Sequence, residues 1–194
     1  MILIVKVTVM KYLIASDIHG SEVYCSKLIE AYRRESADRL ILLGDILYHG
    51  PRNDLPEGYD PKGVFALLNA YKNEILCVRG NCDTEVDQMV LDFPIMAEYA
   101  LLDAGERLIF LTHGHHYNIN SLPPLKQGDI LIYGHTHIPL CEEKDGVLCL
   151  NPGSVSLPKN GTPHSYMTLE NGTFLWKTLD GETFMENQEL GMRN

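Results

Sequence analysis

Several features that define other classes of protein are missing from this sequence. No run approaches the ~18 consecutive apolar residues that a membrane-spanning helix needs, so no membrane association is expected. Basic residues are scarce: 16 Lys and Arg stand against 26 Asp and Glu, a formal net charge of −10. Because nucleic-acid affinity comes largely from Lys and Arg that neutralise phosphates, a high-affinity DNA or RNA binder is not expected. A small phosphorylated substrate stays compatible with this charge, since bound cations supply positive charge locally.

The cysteine patterns of disulfide-rich and zinc-binding domains are also missing. The chain has five cysteines, an odd number, and no C-x-x-C pair. Scattered cysteines are typical of reduced intracellular proteins, which predicts a cytoplasmic protein and argues against a structural zinc knuckle. Cys141 and Cys149 flank a predicted hairpin turn and could face each other, but we interpret both as free thiols.

Length and composition predict one domain. The 194 residues are 45% hydrophobic, and no linker, repeat or low-complexity tract divides them. We expect a domain over residues 10–182, an N-terminal extension over 1–9 and a loose C-terminal tail over 183–194. Residues 1–9 lack the features of a secretory signal, and they read as a lead-in strand or as an extension upstream of a second start at Met10.

The most informative pattern is a short apolar run followed by a polar cluster, repeated five times. Such runs are typical of strands buried on both faces, and ligands of open α/β sheets bind beyond the carboxyl ends of these strands. Helical spacing predicts helices over residues 21–35 and 61–71, and later residues predict hairpins. The five apolar runs are residues 12–15, 40–43, 75–78, 108–111 and 130–133. The polar residues that follow them are, in the same order, Asp17 and His19; Asp45; Asn81, Cys82 and Asp83; His113; and His135 and His137.

The residue types in these clusters are metal ligands. In an extended segment positions i and i+2 point the same way, so Asp17 with His19, and His135 with His137, could each grip one ion. Taken singly, each candidate has a plainer explanation as a turn residue, a helix cap, a surface histidine or a packed histidine. Random polar turns would not concentrate Asp, His and Asn after five separate buried runs, so the combination favours a site for Mn, Fe, Co or Zn.

Together the segments D-x-H, G-D, G-N-C-D, H-G-H and G-H-T-H resemble the signature of the calcineurin-like metallophosphoesterases. More narrowly, SDIHGS, VRGNCD and NPGSVSLP resemble small bacterial phosphodiesterases of that family. The resemblance covers residues 10–179. It implies a single-domain αββα sandwich of two mixed sheets flanked by helices, and a centre of two divalent ions, most often Mn, with Ni, Co, Zn and Fe as alternatives. It also implies hydrolysis of a small phosphodiester, such as bis(p-nitrophenyl) phosphate.

The resemblance implies a role for each candidate ligand. Asp45 bridges the two ions, and a water or hydroxide between the ions attacks phosphorus in line. The implied ligands of the first ion are Asp17, His19, Asp45 and His137, and those of the second are Asp45, Asn81, His113 and His135.

The sequence departs from the broad family motif G-N-H-[DE] at Cys82. This thiol either faces the substrate or packs beside the ions, and Asp83 either orients a ligand or caps the following turn. We take Cys82, Asp83 and His113 as catalytic candidates, and Asn81, Cys82 and Ser154 as substrate contacts. Further candidates are Arg52, Arg79 and Lys159 for an anionic substrate, and His115 and His116 near the site or on the surface.

Three alternatives stay open at this point. A eukaryotic retromer subunit resembles this fold and uses a degraded site as a protein-binding surface, but it departs at the positions of Asp45 and Asn81, which this chain keeps. A phosphomonoesterase would use the same ligands, and a nuclease is disfavoured by the acidic charge. Apolar surface at the hairpins could support a homo-oligomer.

Overall fold

The structure is a computed structural model, and it describes residues 10–187. The five apolar runs are confirmed as strands, with bounds that shift by at most one residue. In chain order the elements are β1 (Tyr12–Ala15), α1 (Glu22–Glu35), β2 (Arg39–Leu42), α2 (Pro61–Asn69), β3 (Ile75–Cys77), α3 (Glu85–Gln88), β4 (Tyr99–Asp103), β5 (Leu108–Thr112), β6 (Ile130–Tyr133), β7 (Leu140–Lys144), β8 (Val147–Asn151), β9 (Ser165–Glu170), β10 (Thr173–Thr178) and β11 (Thr183–Asn187).

The strands form two mixed sheets. The first has the order β11-β10-β9-β1-β2-β3, and the second has the order β4-β5-β6-β8-β7. In the first sheet β1, β2 and β3 are parallel, and in the second β5, β6 and β8 are parallel. The remaining pairs are antiparallel. The predicted fold class, an α/β sandwich of two mixed sheets, is therefore confirmed.

One hydrophobic core lies between the two sheets. Alternate side chains of the buried strands meet there, among them Ile14 and Ile132, and Trp176 is fully buried in the same cluster. The indole N–H of Trp176 donates to the carbonyl of Asn151 at 2.6 Å. A buried tryptophan with its one donor satisfied is a packing residue.

Among residues 10–187, helices cover the first sheet and a loop covers the second. α1 and α2 pack their apolar sides on its outer face, and the hydroxyl of Ser21 caps α1, as predicted, by accepting from the N–H of Tyr24. The outer face of the second sheet is packed by Ile119, Leu122 and Leu125 from a loop. Two consecutive prolines at 123–124 disfavour a helix in that loop, because proline lacks the N–H that a helix needs. None of the helices within residues 10–187 is long and apolar enough to cross a bilayer.

The predicted loose tail is wrong at its start. Residues 183–187 form β11, which pairs antiparallel with β10, and Met185 packs against the core between the sheets. The strand was missed because it lies at the edge of the sheet, where it pairs with β10 alone, and its sequence is not a continuous apolar run. Residues 1–9 and 188–194 lie outside the described part of the chain.

Glu35, the last residue of α1, fastens that helix to the first sheet. Its carboxylate accepts from the ammonium groups of Lys11 and Lys177 and from the hydroxyl of Tyr166, at 2.8–3.0 Å. Burial alone would raise the pKa of this carboxyl, but the hydrogen bonds from Lys177, Lys11 and Tyr166 lower the pKa to about 2.

This pKa shift predicts acid destabilisation. A carboxyl with a lowered folded-state pKa stabilises the fold above its unfolded-state pKa, here the ordinary 4.5, and loses that contribution as the pH falls toward about 2. We expect Glu35→Gln to lower the melting temperature at pH 7 and to flatten its pH dependence between 4.5 and 2. Circular dichroism melts measure both effects, with Glu30→Gln on the exposed side of α1 as the control. Identical pH slopes in Glu35→Gln and the unchanged protein would refute the assignment.

Candidate metal centre

The loops that follow five strands meet at one edge of the sandwich. They carry all seven predicted ligands, and backbone hydrogen bonds join the loops to one another. The N–H of His19 donates to the carbonyl of Asp45 at 2.9 Å, and the N–H of Gly134 donates to the carbonyl of His113 at 2.8 Å. The first bond joins two loops of the first sheet, and the second joins two loops of the second sheet. The N–H of His135 donates to the carboxylate of Asp17 at 3.0 Å and links the two sets, so the structure brings the candidates into one cluster, as predicted.

The local backbone differs from the extended segments that the sequence interpretation assumed. Five of the seven candidates have positive φ, a region that residues other than glycine rarely adopt. Each such residue costs on the order of 1 kcal/mol, and residues of this kind cluster at functional sites. The five are Asp17 (φ 60°), His19 (49°), Asp45 (55°), His135 (64°) and His137 (62°).

One group of ligand atoms forms around Asp17. Its Oδ1 lies 3.2 Å from Nε2 of His137 and 3.5 Å from Nε2 of His19, and the two Nε2 atoms are 3.3 Å apart. All three side chains are buried. The other oxygen of Asp17 accepts from the backbone N–H of His135 at 3.0 Å, which fixes the direction of the carboxylate.

A second group forms around His113, and Asp45 faces both groups. Oδ2 of Asp45 lies 3.6 Å from Nε2 of His19 and 3.4 Å from Nε2 of His113. Nε2 of His113 is also 3.0 Å from Oδ1 of Asn81 and 3.2 Å from Nδ1 of His135. This arrangement matches the bridging position that the resemblance implies for Asp45.

The hydrogen bonds of the imidazoles fix which nitrogen faces the centre. The Nδ1 atoms of His19, His113 and His137 lie 2.8, 2.7 and 2.6 Å from the carbonyls of Tyr48, Leu43 and Leu157. Because a carbonyl only accepts, each Nδ1 carries the hydrogen, and in the neutral ring the lone pair of Nε2 points inward. Such backbone partners are typical of histidines that bind metals.

These residues fit divalent cations. The inward lone pairs of His19 and His137 face each other at 3.3 Å, and Oδ1 of Asp17 is buried with no hydrogen-bond partner within the described residues. Acceptors crowded in this way repel unless a positive charge lies among them. Imidazole nitrogens mixed with carboxylate oxygens are the ligands that borderline divalent metals prefer.

The shifts of pKa in the site also favour a bound cation. Burial alone would lower the pKa of His113, but its hydrogen bond to Asp45 and the charges of Asp17 and Asp45 raise the pKa to about 9. Burial opposes ionisation of Asp17, yet His137 and His19 hold its pKa well below the usual range. The centre therefore stabilises positive charge, which is what a cation supplies.

Asp83 lies directly behind Asp45. Its buried carboxylate accepts three backbone N–H groups, from Asp45 (2.8 Å), Ile46 (2.9 Å) and Gly80 (2.7 Å). The following helix α3 is capped by Thr84, not by Asp83. Asp83 is therefore a positioning residue that joins the Asp45 loop to the loop after β3.

Cys82 lies at the surface of the centre. Its backbone N–H donates to Oδ1 of Asp45 at 2.8 Å, and its Sγ accepts from the side-chain amide of Asn81 at 3.2 Å. Burial and the charge of Asp45 raise the pKa of the thiol far above its usual range. The side chain is thus a neutral thiol, unlike the imidazole of the broad family motif.

Ser154 does not lie where the sequence interpretation placed it. The side chain is fully buried, and its hydroxyl donates to the carbonyl of Asp17 at 2.9 Å and accepts from the N–H of Leu157 at 2.9 Å. The geometry therefore gives no phosphate contact, and Ser154 supports the Asp17 loop instead. Asn151, whose role the sequence did not reveal, similarly donates to the carbonyl of Gly134 at 2.7 Å.

A cleft of about 630 Å³ opens over the centre. Of the other candidates, Arg52 and Lys159 line it, whereas Arg79 is turned to Glu98 and to the carbonyl of Asp83. His115 packs beside the ring of His113, and His116 is exposed. The lining residues are Asp45, Gly50, Pro51, Arg52, Asn53, Asn81, Cys82, His135, Thr136, His137 and Lys159.

Comparison with known proteins identifies the family. The profile of the calcineurin-like phosphoesterase superfamily domain matches residues 10–173. The chain belongs to this superfamily. It is 49% identical to phosphodiesterase YfcE of Escherichia coli strain K12 over 162 residues, which cover 84% of this chain and 88% of the relative. This identity confirms the resemblance that the motifs suggested.

Solved structures of this superfamily share the fold. The structure of YfcE, a phosphoesterase from E. coli, covers 92% of this chain and 99% of its own at 45% identity, with a TM-score of 0.89. Vacuolar Protein Sorting 29 from Cryptosporidium parvum covers 93% of this chain and 97% of its own at 20% identity, with a TM-score of 0.58. The second similarity concerns the fold alone.

We predict that Asp83→Asn weakens the centre. An amide has one acceptor oxygen where the carboxylate has two, so at least one of three buried N–H groups loses its partner, at a cost of ~1–3 kcal/mol. Metal affinity should fall ~10–100-fold. Isothermal titration with Mn²⁺ and thermal melts measure the two effects, with Glu85→Gln, at an exposed acidic residue of α3, as the control. Unchanged metal affinity in a folded Asp83→Asn protein would contradict the positioning role.

Proposed function

We propose that this chain is a divalent-metal-dependent phosphodiesterase that hydrolyses a small phosphodiester. The observation that carries the proposal is the carboxylate of Asp45, which faces both groups of inward ligand atoms at 3.4–3.6 Å. Two-metal phosphoesterases need such a shared ligand to hold their ions close together. The 49% identity to a protein named phosphodiesterase supports the same reaction.

The proposed ligands are those the sequence predicted: Asp17, His19, Asp45 and His137 for one ion, and Asp45, Asn81, His113 and His135 for the other. When bound, the two cations supply Lewis acidity for the phosphoryl oxygens and for the attacking water. We propose manganese as the ion, with nickel, cobalt, zinc and iron as alternatives, since the mixed nitrogen and oxygen ligands suit all of these.

The protein contributes rigid placement. Backbone carbonyls accept from three of the imidazoles, and the carboxylate of Asp83 accepts from three backbone N–H groups of the ligand loops. These bonds fix the ligands before substrate arrives. Preorganised groups of this kind stabilise the developing charge of in-line phosphoryl transfer without reorganising during the reaction.

Cys82 sets the range of leaving groups in this proposal. A neutral thiol is a weak hydrogen-bond donor and carries no charge at neutral pH, so it gives a departing oxygen little help. Substrates with good leaving groups, such as nitrophenolates, then react readily, whereas poor leaving groups need a proton from water.

Two rival functions use the same fold. A protein-binding scaffold does not require a complete set of ligands, and this chain keeps all seven at one centre, which supports catalysis. A phosphomonoesterase would prefer p-nitrophenyl phosphate to bis(p-nitrophenyl) phosphate, so a comparison of the two rates with each metal separates the alternatives. A cytoplasmic location and a homo-oligomeric state stay predictions. The five cysteines are free thiols, which agrees with the reduced state expected from the sequence.

We predict that Asp45→Ala abolishes turnover. Loss of the shared carboxylate should lower kcat/KM for bis(p-nitrophenyl) phosphate by about three orders of magnitude, equivalent to ~4 kcal/mol of transition-state stabilisation. Metal content measured by atomic emission should fall in the same protein. Asp92→Ala, which removes an exposed ion pair with Lys72, is the control and should retain activity. An Asp45→Ala enzyme with full manganese-dependent turnover would overturn the proposal.

We predict that Cys82→His broadens the range of leaving groups. An imidazole can donate a proton to a departing oxygen, and general acid catalysis acts most on poor leaving groups. The ratio of rates on diphenyl phosphate and bis(p-nitrophenyl) phosphate should rise ~10-fold or more. Cys82→Ser, which keeps a small neutral group, should leave the ratio near that of the unchanged protein. An equal ratio in all three proteins would show that this position does not act on the leaving group.

A further inference from the structure

We infer that the substrate is a phosphodiester with a second anionic group, a carboxylate or a phosphate, on one of its substituents, and that Arg52 and Lys159 bind this group. The inference rests on the proposed phosphodiesterase function and narrows its substrate class.

The cleft has the opposite charge pattern to the chain. Acidic residues outnumber basic ones by 26 to 16 overall. Among the described residues that line the cleft, Arg52 and Lys159 are cations, and the one carboxylate is Asp45, which faces the metal centre. Clefts lined by one sign of charge concentrate ligands of the opposite sign, so the rim favours an anion.

Neither cation has a side-chain partner among the described residues. No ion pair or side-chain hydrogen bond within residues 10–187 involves the guanidinium of Arg52 or the ammonium of Lys159. Other cations near the site or the core are paired: Arg79 contacts Glu98 at 3.5 Å, and Lys177 contacts Glu35 at 2.8 Å. The two cleft cations are therefore available to a ligand.

The two cations lie at the rim, and three of the proposed metal ligands are buried at the floor. Arg52 and Lys159 are exposed, whereas Asp17, Asp45 and His137 are at most 3% exposed. A scissile phosphoryl group bound at the floor leaves the rim to its substituents. The cleft of about 630 Å³ is far larger than one phosphoryl group, so it has room for a substituent that reaches the rim.

Both cations sit on backbone that is tied to metal-ligand residues. The N–H of Lys159 donates to the carbonyl of His137 at 3.2 Å. The loop of Arg52 begins at Tyr48, whose carbonyl accepts from His19, and is closed by the side-chain amide of Asn53, which donates to the carbonyl of His49 at 2.8 Å. These bonds hold the backbone from which each cation extends in a defined position relative to the metal-ligand loops.

The chemistry of the two side chains defines the ligand class. Arginine offers a planar fork of donors that matches a carboxylate or a phosphate, and lysine adds a point charge. A neutral alkyl or aryl substituent would leave both cations without a partner.

Matched synthetic diesters test the inference. The three substrates are p-nitrophenyl phosphate diesters whose second substituent is ethyl, 2-carboxyethyl or 2-phosphonoethyl, all assayed with saturating Mn²⁺. We expect kcat/KM of the unchanged enzyme to be ~10-fold or more higher for at least one charged diester than for the ethyl diester, and the two charged arms show which anion is preferred. In Arg52→Gln/Lys159→Gln this preference should shrink at least tenfold. Lys126→Gln/Lys144→Gln, an equal loss of charge on exposed residues near the opposite ends of β6 and β8, should retain it.

The outcomes separate this inference from the proposed function. Turnover of the ethyl diester without any preference for a charged diester would overturn the inference and leave the phosphodiesterase intact. An equal loss on charged and ethyl diesters in the double variant would also overturn it, because the cations would then act on the scissile phosphoryl group. Failure of the metal-loaded enzyme on every diester would instead remove the proposed function.

Discussion

The shared carboxylate of Asp45 is the constraint on which the site depends. One of its oxygens accepts from the N–H of Cys82, and the other faces Nε2 of His19 and of His113. Its own backbone N–H is held by Asp83, which also holds Gly80. The loops after β2 and β3 therefore form one unit with Asp45 at its centre, and any shift of either loop moves the carboxylate away from both groups of ligands.

The sandwich makes this arrangement possible because each sheet supplies part of the site. The first sheet presents Asp17, His19, Asp45 and Asn81, and the second presents His113, His135 and His137. The core between the sheets sets the distance between these two sets of ligands. The packing of residues such as Ile14, Ile132 and Trp176 therefore also determines the geometry of the metal site. The left-handed backbone conformation at five ligands is strained, and the packing of this core offsets its free-energy cost. Strained backbone of this kind is common at functional sites.

The sequence predicted the strands and the positions of the candidate ligands at one sheet edge because both depend on local pattern. Buried parallel strands are continuous apolar runs, and the polar residue after each run must lie at the carboxyl end of its strand. What the sequence could not reveal depends on contacts between distant residues. Ser154 was taken for a substrate contact, although its hydroxyl is committed to the carbonyl of Asp17, 137 residues away in the chain. Likewise, nothing in the local sequence distinguishes Arg79, which is paired with Glu98, from Arg52, which lines the cleft.

An acidic chain can still be built for a small anion. At physiological ionic strength charges on the surface are screened over about 8 Å, so the acidic exterior acts weakly on a molecule already inside the cleft. There the nearby groups dominate: the divalent ions that the floor would hold, and Arg52 and Lys159 at the rim. A nucleic acid differs, because a polymer extends across the exterior of the protein. Its phosphates then lie close to many surface carboxylates, at distances where salt screens their repulsion little. The same charge distribution therefore admits a compact diester and disfavours a polymeric one. The net charge of −10 thus bears on the size of the substrate as well as on the sign of its charge.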